Sequence, residues 1–481
     1  MPCPGDAATP ARAPPEPPKH QMATAAEVLA PSRTRRPQLA WGLWGFIWLL
    51  PIHALVIALL FGAFGWPAAA VRVIAAWKEA LIAILFALAA ARTLRAPRPE
   101  RTIYWLDLVI AGLGVVALAY VVGADVWFAT GLPLTAQLYG LRDTAFVSLL
   151  YFVGRASPEV AESPRLARTL FAVAAVTSAI AVLERLFVPP EFLVLLGAAR
   201  YVQDFLGATP IASGNVYGLV DNYWTHFGDH LVRRAGSTYL SGQGFATPFL
   251  VVFPGATVYA LSASGRRAWA VWLGYAVVWA GLLLSVTRMT IVACALGASL
   301  IIAASRRWSA LVGLGFAVLT GFAVALMVAP GLATYVWETL TWQSGSSVWH
   351  LADWTAGLDY FLHNPLGVGL GATDLVAARF GVQSVTGDNQ YLKYAVELGV
   401  LGLFLHVAML AGALASGIRA SSAGRNGPVR SNGLLLVVAT LGIMLNAMTA
   451  VVFNAPMVAY LFFWMAGSVT TVARRAETAG P

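Results

Sequence analysis

Three arginines and one aspartate carry most of the chemical information in this sequence. Arg142, Arg234 and Arg288 each stand at or just inside the end of a long hydrophobic stretch, and Asp388 stands at a fourth such end. A charge near hydrocarbon is costly unless it is paired or lines a wet cavity, so an arginine in this setting is a functional-site candidate by default. If the four ends share one face of a bilayer, the arginines converge on a pocket for an anion. The competing readings are a snorkelling side chain at a helix end, or an ion pair with Asp143 or Asp229. Arg233 competes with Arg234 for the same role. Asp388 could instead cap a helix by accepting its orphan N–H bonds. Lys78 with Glu79, and Glu184 with Arg185, are adjacent opposite charges, of the kind that neutralise neighbouring helices.

The elements that position these residues follow from composition. Of 481 residues, 59% are hydrophobic and 11% charged, with 17 Trp and a mean hydropathy of +0.72. The hydrophobic stretches are about 20 residues long, enough to span a bilayer as helix. The net charge of +9 does not point to nucleic acid, because the basic residues cluster in short loops between spans. Cys3 and Cys294 are too far apart for a disulfide framework or zinc motif. Residues 1–38 are Pro- and Ala-rich, end in SRTRRP and lack an apolar core, so they read as a disordered cytoplasmic tail rather than a signal peptide.

The remainder, 39–481, reads as a single all-α integral membrane domain. The expected spans are 40–63, 70–92, 103–122, 137–154, 167–188, 244–263, 268–286, 289–305, 309–329, 390–417, 432–451 and 455–473, twelve in all. With both termini inside, Arg92, Arg95, Arg98, Arg101, Arg155, Arg165, Arg168, Arg266, Arg267, Arg306, Arg307, Arg419, Arg425, Arg430, Arg474 and Arg475 all face the cytoplasm. That is the positive-inside pattern. Two long outside loops, 189–243 and 330–389, are expected to contain short helices and to serve as binding elements or lids. Their aromatic residues suit the headgroup interface or the apolar faces of sugars. No Walker loop or dinucleotide fingerprint is present, which argues against an ATP-driven pump.

The segment GDNQYLKYAVELGVLGLF has Asp388 and Asn389, then nine residues before Gly399 and two more before Gly402. This arrangement resembles the His/Asp-Asn-x9-Gly-x2-Gly signature of the O-antigen ligase and polysaccharide polymerase superfamily. Three further stretches, in matching order, are similar to the family. They are VRRAGSTYLSGQGFATPFL (Arg-x-Gly), LLLSVTRMTIVACALG (Ser-x-x-Arg) and HLADWTAGLDYFLHNPLGVGLG (an aromatic helix before a Pro-Leu-Gly-x-Gly turn). The resemblance covers roughly residues 230–410. It departs from the lipopolysaccharide ligases at two positions. Asp388 stands where they carry His, and His350 stands in place of an Arg. The first departure is more like the polymerases.

The resemblance implies an enzyme of the bacterial inner membrane, acting on its extracytoplasmic face without cofactor or metal. Donor and acceptor would be undecaprenyl-pyrophosphate-linked oligosaccharides. The donor would enter sideways between helices, with the 330–389 loop over the site. Arg234 and Arg288 would clamp the pyrophosphate, assisted by Arg142, since guanidinium offers planar paired donors to phosphate. Asp388 would be the base for an acceptor hydroxyl, with His350 and His363 as alternatives. Asn389 and Tyr391 belong to the same segment, Tyr391 sharing the helical face of Asp388. Glu397 is a candidate partner for an arginine. A single base opposite a leaving group implies inversion. A chain-length regulator or another export-pathway protein is an expected partner. Two other functions compete: a ligase that transfers finished glycan to lipid A, protein or another acceptor, and a lipid-linked oligosaccharide flippase or transporter. A flippase needs arginines reachable from both sides and favours repeated halves, which the sequence lacks.

Overall fold

Within hydrocarbon every backbone N–H and C=O needs an internal partner, and a chain of apolar runs meets that demand as helix. The computed structural model describes residues 39–96, 102–127, 131–208, 215–227, 230–328, 331–373, 377, 380–382, 384, 387–423 and 427–478. The tail 1–38, Arg98, Arg101, Asp229, Asp374 and Arg425 lie outside them. Residues Leu39–Pro481 cluster as one unit.

The helices are α1 (Ala40–Ala58), α2 (Ala68–Ala75), α3 (Trp77–Arg95), α4 (Trp105–Trp127), α5 (Leu134–Leu141), α6 (Leu149–Arg155) and α7 (Arg165–Phe187). A small antiparallel hairpin follows, β1 (Trp224–Phe227) with β2 (His230–Arg233), in the register Trp224 opposite Arg233. Then come α8 (Phe249–Ser262), α9 (Ala268–Leu284), α10 (Arg288–Ala304), α11 (Trp308–Val328), α12 (Leu332–Leu340), α13 (Gly345–His363), α14 (Gln390–Ala423), α15 (Gly427–Asn446) and α16 (Pro456–Thr478). Every expected span coincides with helix. Among the described residues, seven segments are long and apolar enough to cross a membrane unaided, and α8, α9 and α10 are shorter apolar helices. The protein is an all-α integral membrane protein with short helices in both long loops, Pro190–Leu195 in the first and α12 and α13 in the second. α16 forms the centre, with Trp464 fully enclosed and its Nε1 donating to Ser157 Oγ at 2.9 Å.

Two spans are interrupted, and both interruptions bear on the site. The span of α5 and α6 widens into a π-turn at Arg142–Phe146, a distortion often found at functional positions. In α14, Gly399 adopts φ 66° and ψ −164°, which breaks the helix. The Pro365–Gly369 turn fills the gap. Val400 N donates to Pro365 O at 2.9 Å, while Val396 O and Glu397 O accept from Val368 N (2.9 Å) and Gly369 N (3.0 Å). The broken backbone is thereby satisfied within the protein. The neighbour that packs against Gly399 is this turn. A Cβ at Gly399 would meet Pro365 O at 2.6 Å, in a conformation L-residues avoid. Gly399→Ala should therefore cost at least about 1–3 kcal/mol, read as a lower melting temperature in detergent; an unchanged melting temperature would contradict this account of the break.

Candidate active site

Arg234 is aimed by a loop with little freedom. Its N–H donates to Tyr223 O, and Ala235 N donates to Leu284 O, both at 2.9 Å. Beneath it, the buried Glu184 carboxylate accepts from Tyr223 Oη, Gly236 N (3.1 Å) and Ser237 N (2.5 Å). A side chain at Gly236 would strike Ser241 N at 2.7 Å, which explains the Arg-x-Gly spacing. The strand direction separates the two adjacent arginines. Arg233 turns to the end of α7 and donates to the carbonyls of Val188 (2.5 Å), Glu184 (2.9 Å) and Arg185 (3.1 Å). Arg234 turns into a cavity. Glu184→Ala would orphan three buried donors, at about 1–3 kcal/mol each, and release the loop. The expected result is a lower melting temperature with activity reduced about 10²-fold by misplacement of Arg234; wild-type stability and activity would rule this positioning role out.

Arg288 opens α10 after a turn in which Val286 takes a left-handed φ of 50°, rare for a β-branched residue. Its Nη1 donates to Thr339 Oγ1 (2.7 Å) and Ser344 Oγ (3.3 Å), and its guanidinium lies 5.2 Å from the Tyr335 ring centroid. Arg234 donates to Ser285 O (2.7 Å) and Thr287 Oγ1 (2.5 Å). Both arginines line one cavity of about 770 Å³, together with Trp224, Glu338, His350 and Asp388. Among the described residues, neither arginine has a carboxylate within 4.0 Å. Burial, and then repulsion from Arg288, pushes the Arg234 pKa down to about 10, so it remains a cation at neutral pH. Arg288 also stands at the positive end of a helix, where the macrodipole disfavours a cation and favours an anion. Two guanidiniums that meet no carboxylate among the described residues give that helix end a charge that suits an anion. Trp224 lines the same cavity, and its buried Nε1 has no hydrogen-bond partner.

Asp388 faces this cavity because another residue takes the cap. Asn389 Oδ1 accepts from Tyr391 N (2.9 Å) and Leu392 N (3.0 Å) at the start of α14, and Asn389 Nδ2 donates to Met448 O (3.2 Å). Asp388 Oδ2 lies 3.6 Å from His350 Nδ1. Burial, aided by Arg288 and opposed by Asp353, holds the His350 imidazole below its ordinary pKa and therefore neutral at pH 7. Asp353 anchors the segment through Gly387 N (2.9 Å) and Asp388 N (3.3 Å).

Four expected site residues thus share the cavity: Arg234, Arg288, His350 and Asp388. Others do not. The expected convergence of three arginines fails, because Arg142 lines a second cavity and pairs with Asp143 at 2.8 Å and Glu79 at 3.8 Å. Glu397 meets Lys393 Nζ at 3.2 Å rather than an arginine, and accepts from Gly371 N and Thr373 Oγ1. It holds the glycine-rich turn. Tyr391 donates to Met444 O at 2.9 Å, and the exposed His363 bonds its own helix at Asp359 O. Thr287, Thr339, Ser344 and Asp353 had no place in the sequence-based site. Only Asp353 carried a readable signal, being three residues from His350 and so on the same helical face.

The fold and this cavity define a multi-pass membrane protein with an anion-receptive, aromatic-walled site at one end of its bundle. Residues 270–407 match the family model described as O-antigen ligase, so the chain carries an O-antigen ligase-like domain, consistent with the ligase and polymerase superfamily. The matched segment contains Arg288, His350 and Asp388; Arg234 lies upstream of it. The match supports a membrane glycosyltransferase-like enzyme of ligase or polymerase type. No curated protein matches the chain.

Proposed function

We propose that this protein is a polysaccharide polymerase of the bacterial inner membrane, working on its extracytoplasmic face. It transfers a glycan from undecaprenyl pyrophosphate to the distal sugar of another lipid-linked repeat. The observation that carries this reading is the shared cavity. Two arginines that meet no carboxylate among the described residues, taken as the leaving-group side, line it together with Asp388 and His350, taken as the base side. The acceptor hydroxyl oxygen attacks the anomeric carbon of the donor sugar, and the bond from that carbon to the pyrophosphate oxygen breaks. The electron pair leaves with the pyrophosphate, where Arg234 and Arg288 stabilise the developing charge. The hydroxyl proton passes to Asp388, with neutral His350 beside it. Direct displacement inverts the anomeric centre. Cleavage of the lipid pyrophosphate bond supplies the driving force, so no nucleotide takes part.

The description of the matched family favours one other reading, a ligase with the same donor and a different acceptor. Purified protein incubated with its lipid-linked repeat separates them. A polymerase yields a ladder of glycan lengths. Transfer only to an added non-carrier acceptor would make the protein a ligase, and movement of intact substrate across vesicles without a change in length would make it a transporter.

A further inference from the structure

The same end of the bundle holds a second cavity, of about 630 Å³, that the transfer step does not use. The segment after β2 forms a wall between the two. Arg234 and Gln243 line the first cavity, while Tyr239, Ser241, Gly244 and Pro248 line the second. The opposite side of the second cavity is charged, with Arg72, Lys78, Glu79 and Arg142.

The charges there do not balance. Lys78 lies 3.2 Å from Glu79, and Arg142 pairs with Asp143 and Glu79. Arg72 has no carboxylate partner among the described residues and stands 5.9 Å from the Phe205 ring centroid. Three cations therefore face two carboxylates. The second oxygen of Glu79, Oε2, is buried and accepts no hydrogen bond, an expensive state for a carboxylate. Arg72 thus leaves the lining with a net positive charge, which the phosphate oxygens of a glycosyl phosphate complement. Phe64 and Trp66, between α1 and α2, and Val73, beside Arg72 on α2, are exposed, an apolar surface suited to a polyprenyl tail.

We propose that this second cavity binds the phosphorylated lipid end of the acceptor, a lipid-linked oligosaccharide held at the same time as the donor. The proposal rests on the polymerase reading. A polymerase handles two lipid pyrophosphates at once. The acceptor attacks through the sugar farthest from its own pyrophosphate, so that pyrophosphate needs a site apart from the donor's. Two cationic cavities with a common wall meet this requirement.

The test counts bound copies of undecaprenyl pyrophosphate by native mass spectrometry of the full-length protein, with phosphatidylglycerol as competitor. The wild type is expected to retain two copies. Arg72→Gln and Arg288→Gln should each retain one, and the double variant none. The copy that remains in each single variant shows that it is folded. A single wild-type copy, lost in Arg288→Gln and untouched in Arg72→Gln, would overturn the second site and leave the donor site standing. Two copies, of which Arg72→Gln loses one and Arg288→Gln none, would support the second site while removing the first. Displacement of the Arg72-dependent copy by phosphatidylglycerol would overturn the proposal in favour of a bulk-lipid site.

Discussion

Arg288→Ala is expected to lower the rate of glycan transfer about 10²–10³-fold, the loss typical when one preorganised donor to developing charge is removed. The guanidinium is held by two hydroxyls and an aromatic face rather than by a carboxylate, so its charge is available to a ligand. Thr339 belongs to α12 and Ser344 caps α13, which ties the arginine's aim to the 330–389 loop. Arg288→Lys should restore little, because an ammonium is a point charge and cannot present the planar fork. The folded state should tolerate the substitution, since no carboxylate among the described residues is left unpaired. A rate in Arg288→Ala within about twofold of wild type, well short of the loss expected from the donor, would contradict a leaving-group role.

Asp388→Asn is expected to reduce transfer about 10²–10⁴-fold, the range for removing a general base. It should leave the melting temperature unchanged, because the helix cap belongs to Asn389. A loss of stability without a comparable loss of rate would return Asp388 to a structural role. The neutral state of His350 gives this prediction a pH dependence. Its pKa is depressed, so it takes up a proton only as pH falls below the ordinary imidazole value of about 6.5. Once protonated it pairs with Asp388 and weakens the base. The rate should hold through pH 7 and decline on the acid side, and His350→Gln should remove that inflection. The sign for stability is the same. Burial disfavours the charged imidazole, so the stability contribution is complete above the unfolded value and is lost as pH falls through the folded one.

Much of the architecture was legible because hydrocarbon permits so few alternatives. Apolar length gave the spans, and all of them are helical. Interruptions were harder to see. Gly399 announces a special position, but whether a helix or a turn fills the space beside it depends on contacts with Pro365–Gly369, far back in the sequence. The site was partly legible for a related reason. Arg288 and Arg234 stand out as charges at the ends of apolar runs, and Asp388 by its place in a motif. Arg142 fits the same description and lies in a different cavity, since a span end fixes depth in the membrane but not position around the bundle. Glu397 shows the other limit. A carboxylate inside a span reads as a partner for any cation, and the cation four residues earlier, Lys393, is the one it meets. The threonines and serine that hold the arginines carry no sequence signal, because hydroxyl residues are common in helices and loops of every kind.

The central claim is that the cavity of Arg234 and Arg288 receives the lipid pyrophosphate. The most direct measurement is photocrosslinking from within it. Trp349 lines the cavity and is 68% exposed, so a photoreactive residue at that position should leave the fold intact. On illumination with the lipid-linked repeat, the account predicts a covalent adduct with the donor that is lost on adding Arg288→Gln. Labelling that persists unchanged in that variant, or an absence of labelling in a protein that still transfers glycan, would contradict it.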